Sequence, residues 1–372
     1  MKIVTILGAR PQFVKASALS RGVAALNREG NSITESIVHT GQHYDIDMSD
    51  VFFSELNIPR PKLKLAASAS DRTLRFSEML AGLSPFLLQE KPDVVLVFGD
   101  TDTTLAGALA ASHLSIPVAH VEAGLRSFNT AMPEETNRVL TDHMASYLFC
   151  PTTTAITNLA HEGIADSDSI KVVQCGDIQL ETLKHYAQTS EPNPALKQQL
   201  DTLAGENGQF ALVTLHRAEN TSDRGRLSGM LDGIRKVAKS LPVVFPVHPG
   251  TRKKMQEFGL PLEDENILLL HPVGFLDMIG LLKRASLVMT DSGGLQKEAY
   301  FLQTPCVTLR RETEWVELVE HGFNDLAGVE AESIATSVKS MLNKQYDWGH
   351  TLYGKGDTSH VILETLIRSL NK

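Results

Sequence analysis

The feature that most constrains the fold of this chain is a rhythm of short, uninterrupted apolar runs. Runs rich in Val, Ile and Leu recur at 2–7, 33–38, 93–98, 117–121, 147–150, 170–174, 210–215, 242–247, 266–270, 285–290 and 305–309. Amphipathic stretches of helical length lie between most of them, at 14–28, 72–90, 103–113, 224–240, 275–284 and 331–343. A strand with no polar alternation is buried on both faces, and strands that alternate with helices join as parallel crossovers. The expected fold class is therefore α/β, with doubly wound parallel sheets. At about 150 residues per domain, a chain of 372 residues has room for two such domains. The polar stretch Gln188 to Gly208, with Pro192, Pro194 and a Gly-Glu-Asn-Gly end, interrupts the rhythm and is the expected connection. Two Rossmann-like domains facing one another across a cleft follow, at 1–187 and 188–357.

Composition narrows the function. A net charge of −9 argues against general binding to nucleic acid or to an anionic membrane. Cys150, Cys175 and Cys306 are scattered and odd in number, which fits a reducing compartment with thiols used as small core residues. No CxxC or HExxH motif is present, so no metal is expected. The sequence runs straight into its first strand, so no signal peptide is expected, and no apolar run approaches the ~20 residues of a membrane span. A cytoplasmic enzyme is expected.

In doubly wound sheets, ligands bind beyond the carboxyl ends of the strands, and the polar residues of interest fall there. The run 285–290 leads into Asp291-Ser292-Gly293-Gly294-Leu295-Gln296-Lys297-Glu298. A strand, a Gly-Gly turn and a helix start gather free N–H groups and the positive end of a helix dipole, which suits a phosphate. Ser292 adds a hydroxyl, and Glu298, one turn further on, can accept from a sugar hydroxyl. After the first run, Gly8-Ala9-Arg10-Pro11 opens a helix that carries Arg10 and Lys15, two cations within reach of an anion. Asp100 follows the third run, either as a helix cap or as a site residue. Glu122 ends the apolar run at 117–121, where a buried carboxylate needs a partner or a role. Pro133-Glu134-Glu135 reads as a helix start, and at most one of the two acids need be catalytic. His216 and Arg217 end the run at 210–215, and His248 ends the run at 242–247. No Walker A sequence and no GxGxxG at a first strand–helix junction is present, so neither an NAD- nor an ATP-dependent mechanism is supported.

Together these blocks resemble a known family. Gly8-Ala9-Arg10-Pro11…Lys15, Gly99-Asp100-Thr101, His120-Val121-Glu122-Ala123-Gly124-Leu125-Arg126, Pro133-Glu134-Glu135…Asn137-Arg138, His216-Arg217…Glu219-Asn220, Thr290-Asp291-Ser292-Gly293-Gly294 and Gln296…Glu298-Ala299 are similar to the non-hydrolysing UDP-N-acetylglucosamine 2-epimerases. The resemblance covers nearly the whole chain. It implies the glycosyltransferase-B architecture, a C-terminal helix (358–372) packing back on the first domain, a homodimer, a UDP-sugar substrate and no cofactor. It also implies that Asp100, Glu122 and Glu134 are acid/base groups, with His216, Arg10 and Lys15 at the departing diphosphate. Ser292, Gly293 and Gly294 would hold phosphate oxygens, Glu298 the ribose, and Arg217 and His248 would line the cleft. The reaction implied is inversion at C2 through loss and re-addition of UDP, supplying surface polysaccharide precursors. That chemistry needs acid/base groups near C2, an anion clamp and closure over the intermediate.

Four positions depart from the commoner UDP-GlcNAc enzymes: Gln12 in place of Glu, Ala218 in place of Arg, Lys297 in place of Glu and Trp315 in place of Arg. With the run Thr313-Glu314-Trp315-Val316-Glu317, they resemble the branch acting on UDP-2,3-diacetamido-2,3-dideoxy-glucuronate. On that reading Lys297 or Arg311 is expected to meet the sugar carboxylate. The alternative is a UDP-GlcNAc/UDP-ManNAc 2-epimerase. A glycosyltransferase of the same architecture would share the UDP clamp but need an acceptor, and a catalytically dead sensor would lack the three acids. Some family members are activated by substrate near the segment that here reads His39 to Asp45.

Overall fold

The computed structural model describes residues 1–42, 53, 55–205 and 208–370, and the Arg10 side chain also lies outside that description. Of the expected activation segment, residues 43 to 45 fall outside it. The chain forms two compact units, Met1–Thr182 with Thr351–Lys372, and Leu183–His350.

The first unit is built on β1 (Lys2–Leu7), β2 (Thr34–His39), β3 (Leu63–Lys64), β4 (Val94–Phe98), β5 (Val118–Val121), β6 (Tyr147–Cys150) and β7 (Lys171–Gln174). All pair in parallel, in the order β3-β2-β1-β4-β5-β6-β7. The crossover helices among the described residues are α1 (Arg10–Arg28), α2 (Arg72–Glu90), α3 (Asp102–His113), α4 (Pro133–Met144) and α5 (Thr153–His161), and α6 (Ile178–Ala187) follows the last strand. Every apolar run expected to be a strand is one.

The second unit begins with α7 (Pro194–Ala204) and alternates through β8 (Ala211–Thr214), α8 (Ala218–Thr221), α9 (Arg224–Ala238), β9 (Val243–Pro246), α10 (Pro249–Glu257), β10 (Ile267–Leu270), α11 (Phe275–Arg284), β11 (Leu287–Thr290), α12 (Gly293–Phe301), β12 (Cys306–Thr308), α13 (Val316–Glu320), β13 (Asn324–Leu326) and α14 (Ala331–Leu342). Its parallel order is β10-β9-β8-β11-β12-β13. A last helix, α15 (Thr358–Leu370), belongs to the first unit.

Successive strand residues point to opposite faces, and both faces of the second sheet are packed. Leu212, Val244 and Val288 meet Leu196 and Leu200 of α7 and Leu281 of α11. Val213, Phe245 and Met289 meet Leu231 and Ile234 of α9 and Val338 of α14. All three cysteines are buried free thiols, and burial pushes Cys150 and Cys306 up to about 12.

Three features differ from the expectation. The polar stretch Gln188 to Gly208 is not a bare connection. Asn193 caps α7 through Leu196 N, Pro194 sits in its first turn, and Leu196 and Leu200 supply a buried stripe too sparse to register as a run. The division between units falls earlier, inside α6. Strands β3 (Leu-Lys) and β13 (Asn-Asp-Leu) are short and carry polar residues, so they do not show as apolar runs.

Each sheet reverses its winding once, between β1 and β4 and between β8 and β11. Loops leaving the carboxyl ends of these strands are where a doubly wound sheet binds ligand. One nearby turn has no room for a side chain. Gly124 has φ +79°, and a Cβ there would collide with the Ala155 carbonyl oxygen. Gly124→Ala is expected to cost at least about 1–3 kcal/mol of stability, measured as a fall in the urea midpoint.

Candidate active site

In the first unit, three loops converge at the switch point. Glu122 leaves β5 with φ +77°, a left-handed conformation that costs a non-glycine residue about 1–3 kcal/mol. Strain of this kind persists where the side chain has work that its surroundings enforce. Its carboxylate pairs with Lys15 from α1, and both side chains are largely buried. A Cβ on Gly99, at the end of β4, would lie 3.3 Å from Glu122 Oε2 and 3.5 Å from Lys15 Nζ. Asp100, the next residue, pairs with Arg138 of α4.

Arg138 also donates to Glu135 at 2.8 Å. Glu135 accepts in addition from Ser127 N, Ser127 Oγ and Phe128 N, each at 2.9 Å. Burial pushes its carboxyl up, but these donors and Arg138 outweigh that and hold it below the usual carboxylate range. Glu135 is thus a loop anchor, whereas Glu134, one residue earlier, is exposed in the first turn of α4. The pair of acids divides as one structural and one available. The anchored loop presents Phe128 at φ +57° and 76% exposed.

A buried charge network underlies these turns. His120 is hydrogen-bonded to Asp142 (Nδ1–Oδ1, 2.6 Å) and to the Gly99 carbonyl (Nε2–O, 2.7 Å). Asp142 also accepts from Gly124 N at 3.1 Å and from Arg126 at 2.7 Å, and Arg126 forks onto Glu162 at 2.6 Å through two nitrogens. Asp102 is gripped by Arg72 and accepts from Asn137 at 3.0 Å.

In the second unit the organising residue is Asp291, fully buried between β11 and Ser292. It accepts from His216 N at 3.0 Å, Arg217 N at 3.1 Å and Asn220 Nδ2 at 3.2 Å, and its carboxylate lies 3.3 Å from His216 Nδ1. Burial raises its carboxyl, but the His216 ring and these donors hold it below the usual range. The His216 side chain is 43% exposed, so it is aimed by a buried anion yet open to a ligand. Its ring centre is 6.1 Å from that of His248, whose Nδ1 accepts from Gly250 N at 3.1 Å and so caps α10. Arg217 donates to the Asp291 carbonyl and to Glu314, both at 3.1 Å. Glu314 also takes Arg310 at 2.7 Å.

Ser292 caps α12, accepting from Leu295 N at 3.5 Å. Gly293 and Gly294 form the first two residues of the helix, and Glu298 is half-buried in its second turn. First-turn N–H groups have no intrahelical acceptor, so the arrangement can hold an anion.

Three departures thought to read the substrate turn inward instead. Gln12 is buried, accepts from Gly8 N (2.8 Å) and Ala9 N (3.0 Å), and donates to the Phe98 carbonyl at 2.9 Å. It therefore ties the β1 turn to the β4 turn. Lys297 is 1% exposed and lies 4.1 Å above the Trp315 ring. A buried ammonium held on an indole is not placed to meet a sugar carboxylate, so that expectation is withdrawn. Arg311 is exposed.

Sequence reading did not assign Arg138, Asp142, Asp291 or Glu314. Each acts on a partner remote in sequence or on backbone N–H groups, and only the position of Asp291 next to the Ser-Gly-Gly turn offered a local signal. Among the described residues, no group of three or more His, Cys, Asp and Glu is placed to hold a metal ion. Among the same residues, no helix is long and apolar enough to cross a membrane.

Comparison with known proteins identifies the family. The UDP-N-acetylglucosamine 2-epimerase family model matches residues 24–367. The chain is 46% identical over 369 residues to the UDP-2,3-diacetamido-2,3-dideoxy-D-glucuronate 2-epimerase of Pseudomonas aeruginosa, covering 99% of this chain and 100% of that one. It is 42% identical over 371 residues to a UDP-N-acetylglucosamine 2-epimerase of Methanocaldococcus jannaschii, covering 98% and 99%. The crystal structure of a Methanocaldococcus jannaschii UDP-GlcNAc 2-epimerase with UDP-GlcNAc and UDP has a TM-score of 0.87 at 41% identity, covering 99% of this chain and 100% of that one. The fold is the two-domain α/β, glycosyltransferase-B architecture of these enzymes. The chain belongs to the UDP-N-acetylglucosamine 2-epimerase family and is a UDP-sugar 2-epimerase.

Proposed function

We propose that the chain epimerises UDP-2,3-diacetamido-2,3-dideoxy-glucuronate at C2 to the mannuronate form, by elimination and re-addition of UDP. The observation that carries the substrate is the likeness to the Pseudomonas aeruginosa enzyme along 99% of the chain. The inward-facing Lys297 does not contribute to it, and exposed Arg311 is the remaining cation assigned to the sugar carboxylate.

In this mechanism a carboxylate of the first unit removes the C2 proton as the C1–O bond breaks, with the bonding electrons leaving on the diphosphate oxygen. The product is a glycal and UDP. Protonation of C2 on the opposite face and attack of the same diphosphate oxygen on C1 complete the inversion, with no net redox change. Asp100, Glu122 and Glu134 are assigned as the acid/base groups. Lys15 and Arg138 hold Glu122 and Asp100 in place, and Arg10 is assigned to the departing diphosphate. His216, Arg217 and His248 are assigned to the departing UDP, with Ser292, Gly293 and Gly294 on phosphate oxygens and Glu298 on the ribose.

Two measurements test this reading. In D₂O, with no acceptor or NAD added, product is expected to carry deuterium at C2 by proton NMR, and product with full protium there would exclude exchange with solvent at the proton-transfer step. Measured separately at low concentration, the diacetamido-uronate is expected to exceed UDP-GlcNAc about 10²-fold in kcat/KM. Equal or better turnover of UDP-GlcNAc would overturn the uronate assignment alone.

A further inference from the structure

The Gly293–Gly294 peptide is braced by two residues that the chemistry at C2 does not use. The Trp315 indole N–H donates to the Gly293 carbonyl at 2.9 Å, and Lys297 Nζ stands 4.1 Å from the centre of the same ring. Both side chains are buried. Trp315 is itself fixed, because its backbone N–H donates to Thr313 Oγ1 at 3.2 Å, and that hydroxyl donates to Gln296 Oε1 at 2.7 Å. The segment before α13 is thereby tied to the helix that carries the two glycines. On another side, a Cβ on Gly293 would lie 2.9 Å from Glu314 Oε1 and 3.6 Å from Arg217 Nη2.

The consequence follows from peptide geometry. In a planar trans peptide, the C=O of one residue and the N–H of the next point in opposite directions. A donor that fixes the Gly293 carbonyl therefore also fixes the direction of the Gly294 N–H. That N–H lies in the first turn of α12, where no intrahelical acceptor exists. Glycine on both sides makes this peptide the least restrained of the helix start, so an external brace has most effect here. Lys297, three residues after Gly294 in the same helix, holds the indole by cation–π attraction.

We propose that Lys297 and Trp315 act as one positioning unit for the diphosphate, setting affinity for the UDP part of the substrate without touching the sugar. This rests on the reading of the Ser292–Gly294 turn as the diphosphate site. Trp315→Phe keeps a ring beneath Lys297 and removes the indole N–H. Lys297→Met keeps the apolar stem and removes the charge. Each variant is first checked for folding by circular dichroism, with Lys297→Gln in reserve for Lys297→Met.

UDP affinity is then measured by titration calorimetry, and kcat and KM are measured with UDP-GlcNAc and with the acidic UDP-sugar. Each single variant is expected to weaken UDP about three- to tenfold, as for one lost hydrogen bond. KM should rise by the same factor for both sugars, with a smaller change in kcat. The double variant should lose less than the product of the two singles, since both act through one peptide. A loss in Lys297→Met confined to the acidic sugar, with UDP affinity intact, would overturn the proposal in favour of a sugar contact. UDP affinity unchanged in both folded variants would overturn it too. A wild-type chain unable to bind UDP would instead remove the reading of the turn itself.

Discussion

Glu122→Gln is expected to lower turnover by about 10²–10⁴-fold, the range for loss of a general acid or base, while UDP affinity stays close to wild type. The amide has the shape of the carboxylate, and its oxygen can still accept from Lys15, so the ion-paired end of β5 keeps its geometry. The backbone at φ +77° is also held by Glu122 N–H and Ala123 N–H, which donate to the Phe149 carbonyl at 3.0 and 3.1 Å and are untouched by the substitution. What the variant loses is the ability to take and return a proton. UDP is assigned to the turn after β11, in the other unit, so binding and chemistry separate cleanly in this variant. The measurement is kcat by proton NMR beside UDP affinity by calorimetry. Turnover within tenfold of wild type would make the Lys15–Glu122 pair a structural contact and leave Asp100 and Glu134 as the acid/base groups.

The fold was legible because strands buried on both faces leave a record that needs no partner to interpret. Runs such as 93–98 and 242–247 can be read only as interior strands, and their alternation with helices dictates parallel pairing. β3 and β13 left no such record, since Leu-Lys and Asn-Asp-Leu carry polar residues and these strands are made by their neighbours and not by their own composition. The positions of the candidate site residues at strand ends were legible for the same reason, because the ends of the runs were. Their partners were not. Nothing near Asp142 announces that it will meet His120, twenty-two residues earlier in the chain, and Glu314 meets Arg217 from ninety-seven residues away. The inward fate of Lys297 shows the same limit. The resemblance to the uronate branch set it against a sugar carboxylate, whereas its burial against Trp315 depends on where α12 and the segment before α13 meet. Sequence pattern reveals which residues end a strand, and tertiary packing decides which of them faces a ligand.

Arg126→Met is expected to destabilise the protein by about 3–5 kcal/mol, the cost of leaving one member of a buried ion pair uncompensated. That is a large part of the ~5–15 kcal/mol by which domains are typically stable. Asp142 has no exposed surface, and the Arg126 guanidinium has almost none. Glu162, the other partner, is partly exposed and can turn to water, so the loss concentrates on Asp142. Burial pushes the Asp142 carboxyl up, but His120 and Arg126 outweigh that and hold it below the usual range. A carboxyl lowered on folding contributes stability that is present above its unfolded value, near 3.9, and is lost as pH falls through the folded value. Without Arg126 the folded value rises and the contribution shrinks, so acid unfolding of the variant should begin at higher pH than in wild type. Activity should fail before the fold does, because Asp142 holds Gly124 N directly and the Gly99 carbonyl through His120. Those two turns carry Glu122 and Asp100. Urea midpoints at neutral pH and acid titrations followed by circular dichroism check both parts. A variant with the wild-type midpoint and the wild-type acid onset would mean that His120 alone compensates the buried Asp142 charge.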